Sequence, residues 1–126
     1  MKLTTLLTLG AVVSLVYGLC LLVVPLNLLS VYGITTGAAQ QFLARLLGAA
    51  FGVMGLLLWS ARSFRDVAAQ RAFVTAFLAY NVAGLVLSVL GVVGGVMNAV
   101  GWSTVAIHAF FGIGFATHQL RKPEAT

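Results

Sequence analysis

Apolar positions along this chain fall into four long blocks, over residues 4–24, 38–60, 72–93 and 100–119, and polar residues gather mainly in the gaps between them. A helix needs about 20 such residues to cross the hydrocarbon core of a bilayer, so each block predicts one membrane-spanning helix. Pro25 closes the first block, because proline lacks the N–H that a helix interior requires. The segment that follows, to Gly37, is apolar for a connection, with Leu26, Leu28, Leu29, Val31 and Tyr32. It reads as a short amphipathic turn or helix in the interface, with Tyr32 at headgroup depth and Thr35 and Thr36 as caps for the next helix. A second connection holds the charged cluster Arg62, Arg65, Asp66 and Arg71, and a third is a tight turn over Gly94, Gly95 and Gly101. The expected fold is all-α: a single integral membrane domain over residues 1–126, arranged as an up-down-up-down four-helix bundle.

Composition agrees with lipid as the solvent. Hydrophobic residues make up 61% of the 126 and charged residues 7%, against about a quarter in soluble domains. Four spans leave no length for a soluble domain. The net charge of +5 matters through its placement: Lys2, Arg62, Arg65, Arg71, Arg121 and Lys122 all fall on the side that holds both termini. The positive-inside rule then predicts cytoplasmic N- and C-termini. Trp59 and Trp102 sit near span ends on opposite sides, where indole rings anchor. The apolar run after Lys2 is longer than a cleavable signal core, so it reads as a retained first helix. The lone Cys20 forms no internal disulfide and reads as a structural thiol.

Small or polar residues recur at helical spacing in every span: Gly10, Ser14 and Gly18; Ala44, Gly48 and Gly52; Asn81, Gly84, Ser88, Gly91 and Gly95; Thr104, His108 and Gly112. Such stripes let helix backbones approach closely in lipid, where packing rather than water exclusion drives association. They suit a compact bundle, a homo-oligomer or a surface for a partner membrane protein.

The polar residues within the spans are the candidate site. Asn81 and His108 fall near mid-membrane, and Tyr17 and Arg45 lie one turn toward the far side, about 5 Å at the helical rise. Arg45 is the informative member. Both acids of the chain, Asp66 and Glu124, are placed on the opposite side, so its counter-charge must come from elsewhere. Its spacing of seven residues from Gly52 predicts that it shares the packed face. An arginine inside the membrane costs at least ~2.5–3.5 kcal/mol, and two arrangements offset this. Arg45 either snorkels to outer-leaflet phosphates as a depth anchor, or reads an anion supplied by a lipid, an amphiphile or a partner subunit. His108 is most simply a hydrogen-bonded core histidine, and as a mid-span histidine it could also ligate haem or a pigment metal. No other cofactor and no metal site is predicted: there is no Cys/His cluster, intramembrane acid, phosphate-cradling loop or nucleophile with its base, and nucleic acid is not an expected partner.

The stretch Tyr17-Gly18-Leu19, the proline-terminated helix, Tyr32-Gly33 and then Leu43-Ala44-Arg45-Leu46-Leu47-Gly48-Ala49 up to Trp59 resembles small bacterial four-helix inner-membrane proteins of the broadly DoxX-like group. The resemblance implies a bacterial inner-membrane location and assigns no activity. Three functions follow as expectations. The first is a non-enzymatic bundle that packs with other membrane components and contacts an anionic lipid, amphiphile or partner acid through Arg45. The second is a carrier or binding protein for a small hydrophobic acid, held by Tyr17, Arg45, Asn81 and His108. The third is an accessory subunit of a respiratory or photosynthetic complex.

Overall fold

The computed structural model describes residues 1–120. Arg121, Lys122 and Glu124 lie outside the described residues. The chain forms α1 (Leu3–Val23), α2 (Pro25–Val31), α3 (Ala38–Ala61), α4 (Val67–Val93), a 3₁₀ turn (Ala99–Gly101) and α5 (Trp102–Leu120). Four segments, Leu3–Val23, Ala38–Ala61, Val67–Val93 and Ala99–Leu120, are long and apolar enough to cross a membrane. This is the architecture of a multi-pass membrane protein.

The helix ends follow from local chemistry. Val24 breaks the α1 pattern, and Pro25 takes the first position of α2, where its missing N–H removes nothing from the helix. The cap of α3 is not a threonine as expected. Gly37 begins the helix, and its N–H donates to Oε1 of Gln40 at 3.0 Å. Asp66 caps α4 by accepting from the N–H of Ala68 at 3.0 Å, so this helix starts five residues earlier than the apolar pattern alone suggests.

The helices associate as two close pairs, α1 with α3 and α4 with α5, and α1 also touches α5. The first pair meets backbone to backbone. A Cβ on Gly18 would stand 2.8 Å from N of Gly52 and 2.9 Å from O of Gly48, and one on Gly48 would stand 2.8 Å from O of Gly18. No larger residue fits without moving a helix. Gly55 continues the seam against Leu15 and O of Ala11.

Leu6, Leu7 and Ala11 of α1, Leu58 and Ala61 of α3, Val74 and Phe77 of α4, and Phe111 and Phe115 of α5 form one buried core. These positions all lie toward the end that carries the charged loop. In lipid they contribute through close van der Waals contact, since the alternative surroundings are equally apolar. Side-chain bonds tie the same end together. His118 Nε2 pairs with O of Met1 at 3.1 Å, Gln119 donates to Thr75 at 2.8 Å, and Arg62 lies 3.3 Å from the Trp59 ring centre while donating to O of Trp59.

At the far end, α2 is clasped to the turn before α5. The N–H of Asn98 donates to O of Tyr32 at 2.8 Å, and its side-chain amide donates to O of Val31 at 2.9 Å. Gly33 makes room for this clasp with φ +75, a conformation that a Cβ would strain. Tyr32 is buried within the bundle, and its hydroxyl meets that of Tyr17 at 2.5 Å.

Candidate functional site

Between the aromatic core and the far-end clasp lies a half-open cavity of about 90 Å³. Helix α1 contributes Ser14 and Tyr17, α3 contributes Phe51, α4 contributes Tyr80 and Asn81, and α5 contributes Thr104 and His108. Phe77, Phe111 and Phe115 form the wall on the charged-loop side. The four helices converge here because α1–α3 and α4–α5 are each tightly paired while α3 and α4 face each other mainly through side chains, including the Phe51–Tyr80 contact at 6.3 Å.

Three of the four anticipated site residues, Tyr17, Asn81 and His108, line this cavity. Nδ2 of Asn81 donates to O of Phe77 at 2.8 Å, leaving its oxygen to face Nδ1 of His108 at 3.2 Å. A backbone carbonyl accepts only, so this pair of bonds fixes the amide orientation. The Asn81 oxygen then accepts in turn, so Nδ1 of His108 carries the proton and Nε2 of the neutral ring is an acceptor. Gly84 gives the imidazole its place: a Cβ there would come within 2.4 Å of Cε1. Tyr80 stands edge-on to the imidazole at 5.6 Å. The fourth residue does not join them.

Arg45 is exposed on the outside of α3, whereas its neighbour Ala44 is buried. The expectation that it shares the packed face fails for a specific reason. Arg45 does share the phase of Gly52, but Gly52 lies at the edge of the seam. Its backbone N abuts Gly18, while a Cβ on Gly52 would meet nothing within 4 Å. A side chain in that phase points out of the bundle. Among the described residues Arg45 has no hydrogen-bond or ion-pair partner.

The other packing positions divide in the same way. Gly10 faces Leu58 and Phe111, Gly91 faces the Met97 side chain, Ser14 and Ser88 are buried, and Gly112 makes only an ordinary contact with Asn81. Gly55, Gly101 and Gly114 make closer contacts than Gly112 and were not among the expected set. Tyr80, which adjoins Asn81, also lines the cavity and is not among the residues the sequence singles out. Among the described residues no group of three or more His, Cys, Asp or Glu side chains converges as a metal site.

Comparison of the chain with protein-family models, with characterised proteins and with solved structures finds no match.

Proposed function

We propose that the protein is a non-enzymatic inner-membrane bundle that holds an anionic lipid headgroup against Arg45. The observation that carries this reading is the exposed guanidinium, without a partner among the described residues, on a helix long and apolar enough to span the membrane. Arg45 lies seven positions into α3, about 10 Å along the axis from the helix start. Helical Cα–Cβ bonds tilt toward the N-terminus, so the stem of Arg45 leads toward the nearer interface. There the planar guanidinium matches a phosphate in a bidentate geometry that lysine does not reproduce.

The orientation that accompanies this reading is up-down-up-down with cytoplasmic termini. It draws support from Gly18 against Gly48 together with Ala11 against Gly55, which set α1 and α3 running in opposite directions. It also draws on Lys2, Arg62, Arg65 and Arg71, which lie at the same end of the bundle.

Native mass spectrometry from nanodiscs of equal phosphatidylglycerol and phosphatidylethanolamine tests the proposal. The wild type is expected to retain phosphatidylglycerol preferentially, and Arg45→Leu to lose the preference while staying folded. Equal retention by the two proteins would reject a lipid site at Arg45. Retention of a protein subunit instead, lost in the same variant, would assign the counter-charge to a partner carboxylate.

A further inference from the structure

The central cavity carries a chemistry independent of Arg45. Among the described residues no charged side chain lines it. Tyr17, Thr104 and Asn81 spend their polar atoms on Tyr32, O of Gly101, and O of Phe77 with His108. Three groups remain without a protein partner among the described residues: the Ser14 hydroxyl, the Tyr80 hydroxyl and Nε2 of His108. None is sealed in the packing, since among the described residues the one fully buried side-chain atom without a partner is the Gln119 oxygen at the charged-loop end.

This set has a definite polarity. The Asn81 amide fixes Nε2 as an acceptor, and the two hydroxyls can donate or accept. A hydroxyl group complements it, donating to Nε2 and accepting from Tyr80 or Ser14. A carboxylate does not, because it offers no proton to Nε2 and would bring an unpaired charge into an apolar setting. A plain hydrocarbon would leave all three groups unpaired. At about 90 Å³ the cavity has room for about three water-sized groups, enough for the polar end of a molecule with its tail outside.

We propose that the cavity enclosed by Ser14, Tyr80 and His108 is a binding site for the hydroxyl end of a small neutral amphiphile. The site does not depend on the lipid reading of Arg45, and the two fail separately.

The test uses the full chain, labelled with ¹⁵N-histidine, in phosphatidylcholine nanodiscs, whose lipids carry no hydroxyl. His118, at the charged-loop end, serves as the internal control. Titration with 1-octanol is expected to shift the His108 Nε2 resonance saturably and leave His118 unmoved, whereas octane and octanoate leave both unmoved. Tyr80→Phe and Ser14→Ala, each removing only a hydroxyl, are expected to weaken the octanol response about three- to tenfold. The Nε2 signal before titration reports whether each variant is folded with His108 in place. A response that does not saturate, an equal response to octane or octanoate, or unchanged octanol binding in both variants overturns the proposal. Competition by 1-propanol or by monooleoylglycerol then assigns the natural hydroxyl to a free short alcohol or to a lipid head.

Discussion

Gly18 and Gly52 lie on facing helices, yet their substitution is expected to have opposite effects. Adding a methyl at Gly18 forces it into the backbone of α3, at 2.8 Å from N of Gly52. Gly18→Ala should destabilise the bundle by about 1–3 kcal/mol, the usual range for overpacking a site that cannot yield. The methyl of Gly52→Ala meets nothing within 4 Å, and replacing a helical glycine favours the folded chain by up to about 1 kcal/mol. Thermal unfolding in one detergent measures both. Equal destabilisation would show that the seam is not where these contacts put it. The same geometry governs Arg45, which follows the open direction of Gly52 rather than the closed direction of Gly48.

Among the elements, α2 adds the contacts that a four-span pattern does not contain. The Tyr17–Tyr32 hydroxyl pair and the two bonds of Asn98 link α1, α2 and the turn before α5 across the far end of the cavity. A double-mutant cycle with Tyr17→Phe and Tyr32→Phe should give a coupling of about 0.6 kcal/mol, with an upper bound near 1.7, as for other hydrogen bonds in membrane proteins. Zero coupling would mean that the two hydroxyls do not meet. Asn98→Ala should loosen α2, read as faster amide exchange at Tyr32 and Gly33, while α3 and α4 stay protected.

The four long helices were legible in the sequence because apolar runs of sufficient length have few other uses. The inward turn of Tyr32 was not, since aromatic residues beside a span end usually anchor in the interface and only the partner hydroxyl of Tyr17 reverses that preference. The depth of Tyr17, Asn81 and His108 was legible by counting along each span. Arg45 lies six residues before Phe51, the α3 residue opposite Tyr17, and so about 9 Å from it along the axis, and it lies on another face, so both depth and helix phase keep it from the cavity.

The whole molecule sets a neutral cavity inside the bundle against a cationic side chain on its outside. The proposed orientation predicts that Asn27→Cys, on exposed α2, reacts with a membrane-impermeant maleimide in intact cells. Ser63→Cys, in the charged loop, should react only after the cells are opened. The reverse pattern would invert the bundle and move Arg45 to the cytoplasmic leaflet. Arg45 itself is best tested by solid-state NMR on bilayers containing phosphatidylglycerol, measuring ¹³Cζ–³¹P dephasing in arginine-labelled protein and subtracting the Arg45→Leu spectrum. A bidentate guanidinium–phosphate pair predicts a Cζ–P separation of about 4 Å and strong dephasing in the difference signal. A difference signal without dephasing would contradict a lipid phosphate as the partner of Arg45.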